Sequence, residues 1–516
     1  MFIVACQKTI DTVDEENHML NQKTITINDH LVSSNEPNFT INHDVPIEKN
    51  TFDFEPYFSN SMVLQANAVI KFEGAYDTDG PIALTLQGKT FYTEVINQSF
   101  SFFIGPFAYD ESLELIIYTQ TSRYVFTDVS VGEVFLLSGQ SNMAITLSQI
   151  LRNANDIYTQ KINQSIRDIN HQKIRFITVG MLGYSEPLDA FQPHQTYGWD
   201  KLTQDNASSV SATAFYFAEE MVKQLDVPIG LVISAVGATN TNTWIPPQEA
   251  VGMDTTYIKN ISDADTPSRY YNGMVHPLRE LTFRGVIWYQ GEGQHVKYED
   301  NMKRLIQGWR REFIYSDLKF LIIELPRFDV DLGYTQESWF QVRKQQQSLA
   351  NLEGVTYAVS IDLGIVSRET DDPIHPYDKD MIGLRAAHAF IGKFYELPGI
   401  WTSPRLIYAG YMEGKLIMKF TNVGDGIYLS EFKAGFEVSV DGTRFNHAEP
   451  IIIDHETIEL RTTLQGVKAI RYAYQYVIPE VFGGDGTPSS LRDLVSVYNS
   501  GHYPLDQFLI YLREET

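Results

Sequence analysis

The chain of 516 residues contains a single cysteine, Cys6, which excludes an intrachain disulfide and any cysteine metal cluster. Positive charge is also scarce: 40 Lys and Arg stand against 65 Asp and Glu, a formal charge of -25. Such a surface repels phosphate backbones, and no basic run or zinc spacing offsets it, so nucleic acid is not an expected partner. A strongly anionic substrate is disfavoured too, although a local basic pocket could still receive one carboxylate. Paired zinc ligands such as H-E-x-x-H are missing among the 12 histidines, so no metal is expected. No stretch approaches the roughly 18 apolar residues that a membrane span needs. The opening MFIVACQKT is likewise too short for the hydrophobic part of a signal peptide. The sequence as it stands leads to a cytoplasmic expectation. IVAC looks like the end of a lipoprotein cleavage box, and it would mean export or a lipid anchor if the true start lay upstream.

What is present divides the chain by pattern, and its length exceeds one ordinary core. Residues 1–54, rich in Asn, Asp, Glu and Thr, read as a polar arm. Over 55–130, short alternating segments such as AVIKFEG and IALTLQG are bounded by Gly, Asp or Asn, which predicts a β-sandwich. Over 131–397, apolar strand-like runs such as PIGLVISAVG and LKFLIIELP alternate with helix-like stretches such as SATAFYFAEEMVKQL. That alternation predicts an α/β domain, a mostly parallel sheet covered on both faces. Residues 398–516 return to short alternating strands, a second β-rich domain. The segment from Leu151 to Asp200 carries the weakest signal.

Ligands of an open α/β sheet bind beyond the carboxyl ends of its strands, and four strand ends are unusual. SGQSNM follows the apolar run VGEVFLL, so Ser141 stands at a strand-to-helix junction with Gly139 permitting a sharp turn. An ordinary Ser/Gly/Asn turn is the plain alternative. PIGLVISAVGAT ends at Gly237, where a backbone amide can come close to a ligand. GVIWYQGEGQ ends with Gln290 and Glu292, an amide able to donate to an oxyanion and a carboxylate able to fix a loop. DDPIHPYDK sets Asp372 three residues before His375. An imidazole takes a serine proton near neutral pH when a carboxylate holds its ring. The α/β-hydrolase elbow G-x-S-x-G does not fit, because Met143 occupies its final glycine.

Taken in order, SGQSNM, SAVGAT, WYQGE and D-x-x-H resemble the successive blocks of the SGNH hydrolase superfamily, most closely its sialate O-acetylesterase branch. FSNSMVLQ at Phe58, YYNGMVHPL at Tyr270 and VYNSGHYPLDQF at Val497 are similar to further segments of that branch, from about residue 55 to about residue 510. The resemblance implies an SGNH-type, flavodoxin-like three-layer catalytic domain between two β-sandwich domains. It implies Ser141 as nucleophile, His375 as general base and Asp372 as orienting acid. The amides of Ser141 and Gly237 and the side chain of Gln290 would form the oxyanion hole, with no cofactor. The implied reaction removes O-acetyl groups from acetylated sialic acids. Acetylated xylan or another polysaccharide is the alternative substrate, and a noncatalytic sugar-binding role is a more distant one. Two departures stand out: Val236, Gly237 and Ala238 replace the branch's usual tryptophan and paired glycines, and Gly293 and Gln294 follow the QGE block. Trp244, Trp288 and Trp339 are candidate sugar-stacking faces, with core packing as the other use of an indole. Arg343 could meet a sialic acid carboxylate or pair with an acid of the chain.

Overall fold

The run VGEVFLLSG is the second half of one long strand, β1 (Arg123–Gly139), which belongs to two kinds of sheet at once. Its first part pairs antiparallel with Asp110–Tyr118, and its middle pairs parallel with Val63–Gln65. From Glu133 onward it lies between two parallel neighbours. The boundary expected after residue 130 therefore falls inside a continuous strand. The computed structural model describes residues 39–48, 52–169, 172–254, 265–294, 296–314, 316–327, 336–364, 372, 374–431, 433–474 and 495–512. Cys6, the IVAC box and most of the expected polar arm lie outside them.

Six further strands complete the central sheet: β2 (Ile174–Thr178), β3 (Asp200–Lys201), β4 (Ile229–Ala235), β5 (Gly285–Tyr289), β6 (Lys319–Ile323) and β7 (Val355–Ala358). They lie in the order β3-β2-β4-β1-β5-β6-β7, and every pair is parallel except β3 with β2. The chain leaves β1 for one side of the sheet and later returns to build the other, so the strand order reverses at β1. An α/β sheet opens a crevice at such a point.

The strands can be almost wholly apolar because side chains on alternate faces meet different helices. Five helices matter here: α1 (Ser141–Ala144), α2 (Ala212–Leu225), α3 (Tyr298–Glu312), α4 (Gln336–Leu349) and α5 (Lys379–Phe394). Phe135 of β1 packs edge-on against Phe217 of α2 and Phe390 of α5, with ring centroids 5.0 and 5.2 Å away. Trp288 of β5 instead meets Trp309 of α3 at 6.1 Å. The predicted helix SATAFYFAEEMVKQL is α2: the Ser211 side chain accepts from the Ala214 amide at its start, and Asp226 turns left-handed (φ 54) after its end. Leu151 to Asp200 read weakly because its helix, Asp156–Asp168, is mostly polar: it buries Ile162, with Tyr158 and Ile166 half-buried on the same face.

Before β1, strands Phe52–Asp53, Ile70–Tyr76 and Ser99–Ile104 form an antiparallel sheet, and Phe72, Phe102 and Ile104 join the same buried cluster as the central sheet. After α5, two four-stranded antiparallel sheets supply a separate core that includes Met418, Phe420, Phe436 and Ile470. Val359 and Ile361, just beyond β7, extend that core into the middle of the chain.

One hydrogen-bonded contact between α2 and α5 makes acid stability testable. His388 Nε2 lies 2.7 Å from Glu220 Oε1. Burial pushes the Glu220 carboxyl up, but hydrogen bonds from His388, Gln224 and Lys223 outweigh it and hold the group at about 2, below its ordinary 4.5. Stability from this lowered value is fully present above the unfolded pKa near 4.5 and is lost as pH falls towards about 2, where the folded carboxylate finally protonates. Glu220→Gln is expected to flatten the fall of Tm across that window. Parallel curves for variant and wild type would contradict it.

Candidate active site

Gly139 ends β1 with φ 136, in the region glycine alone adopts readily, and the Gln140 amide donates to the Tyr289 carbonyl at 3.0 Å. This turn delivers Ser141 to the crevice as the first residue of α1, and a second short helix follows from Leu147, capped by Thr146 with Gln149. On one side of Ser141 is the loop after β4. A Cβ built on Gly237 would lie 3.4 Å from Ser141 Cβ, an ordinary contact distance, so the loop backbone passes close beside the serine. Ala238 next to it has φ 59, a left-handed conformation uncommon for alanine, at the place where the resemblance leads one to expect glycine.

His375 and Asp372 share a tight turn in which the His375 amide donates to the Asp372 carbonyl at 3.3 Å. The imidazole Nδ1 lies 2.9 and 2.8 Å from the two Asp372 carboxylate oxygens, which fixes the ring and leaves Nε2 on the other side. Both side chains keep partial solvent access, 23% for His375 and 34% for Asp372. The serine and histidine segments are tied together through their neighbours: Asn142 Nδ2 donates to the Ile374 carbonyl at 2.9 Å.

Gln290 has a different place from the one the resemblance implied. It is fully buried, its Nε2 donates to the Thr239 carbonyl (3.2 Å) and towards Gln140 Oε1 (3.4 Å), and its Oε1 accepts from Thr241 Oγ1 (2.9 Å). With both amide hydrogens engaged, Gln290 braces the loop that carries Gly237. Gln294 shares that task by accepting from the Thr241 amide at 2.7 Å.

The aromatic and cationic sugar contacts are corrected. Trp244 and Trp288 are 0% exposed and Trp339 is 3% exposed, so none of these three indole faces is open for stacking. Trp244 Nε1 donates to Thr239 Oγ1 at 3.0 Å and Trp339 Nε1 to the Pro326 carbonyl at 2.9 Å. Arg343 is buried on α4 and donates Nε to Gln507 Oε1 at 2.7 Å, in the charged surroundings of Glu324 and Asp506. Its guanidinium joins α4 to the segment just before the strand Phe508–Tyr511.

Sequence reasoning missed two groups behind the serine. Asn142 is completely buried and also bonds Glu292 Oε1 and Lys379 Nζ, while its carbonyl accepts from Thr213 Oγ1 at 3.0 Å. Lys379 is 0% exposed. Burial pulls its ammonium down to about 7 against the opposing pull of Glu292, Asp378 and Asp372. Burial likewise pushes the Glu292 carboxyl up, with the Asn142 hydrogen bond working against it. In the sequence nothing marks Lys379, because a lysine at a helix start is usually exposed. Among the described residues no three His, Cys, Asp or Glu side chains gather as a metal-ion cluster, and no helix is long and apolar enough to cross a membrane.

Comparison with known proteins gives this arrangement its class. Residues 131–391 match the family model of carbohydrate esterases described as sialic acid-specific acetylesterase, from the strand before Ser141 through most of α5. The chain is 26% identical to the sialate O-acetylesterase of Homo sapiens over 381 residues, covering 65% of this chain and 69% of that one. Against the Mus musculus sialate O-acetylesterase it is 25% identical over 401 residues, with 65% and 72% covered. Its fold is similar to the crystal structure of a carbohydrate acetylesterase from Xanthomonas citri, with a TM-score of 0.75 at 24% identity, covering 89% of this chain and 99% of that one. The protein is an ester hydrolase of the carbohydrate esterases. Within them, the chain belongs to the sialic acid-specific acetylesterase family.

Proposed function

We propose that this carbohydrate esterase removes O-acetyl groups from acetylated sialic acids, with Ser141 as nucleophile, His375 as general base and Asp372 as orienting acid. The observation that carries the reading is the two-pronged contact of Asp372 with His375 Nδ1, at 2.9 and 2.8 Å, on a loop bonded to the residue after Ser141. A carboxylate so placed selects the tautomer with Nδ1 protonated and supports the imidazolium that forms later. His375 Nε2 takes the Ser141 proton as Oγ attacks the acetyl carbonyl. The tetrahedral oxyanion is met by the amides of Ser141 and Gly237, with Gln290 holding the Gly237 loop from behind. The imidazolium returns its proton to the departing sugar oxygen, and an acetyl-enzyme remains. Water, activated by the same histidine, attacks the acetyl carbonyl, releasing acetate and free Ser141.

The same reading makes the middle of the chain an SGNH-type, three-layer domain flanked by β-rich domains. The reversal of strand order at β1 supports it, as do the different helices met by Phe135 and Trp288. A panel of acetylated sialic acids and acetylated xylo-oligosaccharides, scored by acetate release, tests the substrate. Faster release from the sialic acids by at least about tenfold in kcat/KM is expected, a difference of 1.4 kcal/mol in transition-state binding. Preference for the xylo-oligosaccharides would move the assignment to a plant polysaccharide.

A further inference from the structure

We infer that Lys379 is a positioning residue for the esterase reaction, holding the serine turn and the histidine loop in register through the side chain of Asn142. The inference rests on the proposed roles of Ser141 and His375. Lys379 opens α5, four residues beyond His375, and its Nζ donates to Asn142 Oδ1. The other end of the Asn142 amide donates both to Glu292 Oε1 and to the Ile374 carbonyl, at 2.9 Å for the latter. One amide thus joins the start of α1, the loop after β5 and the turn before α5. Its two bridge points are the residues adjoining Ser141 and His375.

The surroundings suit a fixed device. Asn142 and Lys379 are fully buried and Glu292 is 3% exposed, so water does not compete for these bonds. The Lys379 Nζ lies 5.2 Å from the centre of the Tyr289 ring, whose carbonyl also receives the Gln140 amide. Asn142 is further held by Thr213 of α2 through its carbonyl. The Lys379 amine donating on one side of the amide and the Glu292 carboxyl accepting on the other orient it so that its donor end also faces Ile374. Without Lys379, the amide loses the partner that selects this orientation, and the histidine loop loses its tether. A displacement of about 1 Å between reacting groups is enough to cost on the order of 10²-fold in rate.

Two buried groups of opposite charge type flanking one amide also matter for folding, because removing one leaves the other uncompensated. The test therefore compares Lys379→Met and Glu292→Gln with the double variant Lys379→Met/Glu292→Gln, which has no unpaired charge, and with Ser141→Ala. Each is assayed for Tm and for kcat and KM on an aryl acetate, and for the rate at which an aryl fluorophosphonate labels the serine. In the double variant Tm is expected to recover towards wild type while kcat stays down about 100-fold, with KM within about threefold and labelling slowed in step. Recovery of both Tm and kcat to near wild type would overturn the inference and reduce Lys379 to a charge partner of Glu292. Full activity of Ser141→Ala would remove the Ser-His-Asp reading and the inference with it. An inactive Ser141→Ala beside a fully active double variant would remove the inference alone.

Discussion

Ser141→Ala is expected to lower kcat for an aryl acetate by at least about 10⁴-fold while leaving Tm near its wild-type value. The substitution takes away one hydroxyl and nothing of the backbone. Gly139 still turns, the Gln140 amide still reaches Tyr289, and Asn142 still bonds Ile374, Glu292 and Lys379. The loss is then the loss of covalent catalysis, about 5 to 6 kcal/mol of transition-state stabilisation at 1.36 kcal/mol per decade. What persists comes from the amides around Gly237 and from substrate binding. Steady-state kinetics and thermal unfolding on the same preparation decide it: a rate within about tenfold of wild type would rule out Ser141 as nucleophile.

Gly139→Ala is expected to damage the fold as well as the reaction, by at least about 3 kcal/mol. Two costs add at this position. At φ 136 an alanine has no relaxed backbone conformation, and its Cβ would sit 2.1 Å from the Tyr289 carbonyl oxygen and 2.7 Å from its carbon. Relief requires β1 and β5 to part where they are bonded through Gln140, the place from which Ser141 is presented. Denaturant unfolding monitored by near-UV circular dichroism should show a much lower midpoint, or no folded protein. A midpoint equal to wild type would show that the two strand ends separate freely.

Much of this was legible in the sequence because the signals were local. The apolar run before SGQSNM announces a buried parallel strand, Ser211 marks the start of α2, and D-x-x-H spans a single turn, so its two side chains can meet. What sequence could not supply were contacts made across the fold. Trp244 looks the same whether its face is open to a sugar or closed by Tyr270 and Trp288, and only the packing shows the second. Gln290 was read as a donor at a strand end, and its amide hydrogens point to the Thr239 carbonyl of the loop after β4 and to Gln140 Oε1 of the serine turn. Lys379 is hardest of all, since an amphipathic helix start gives no sign that its lysine is covered on every side. Glu292 was recognised as a carboxylate able to fix a loop, and its partner proves to be the residue beside Ser141.

The continuity of β1 bears on how the enzyme can be dissected. A catalytic fragment begun at residue 131 would sever the strand that ends at the serine turn, strip Asp110–Tyr118 and Val63–Gln65 from its edge, and expose Val131 and its neighbours to water. The N-terminal strands therefore act as a splint on the piece of backbone that aims Ser141. Transplanting the hydrolase alone, without them, would leave that backbone free to fray from its root.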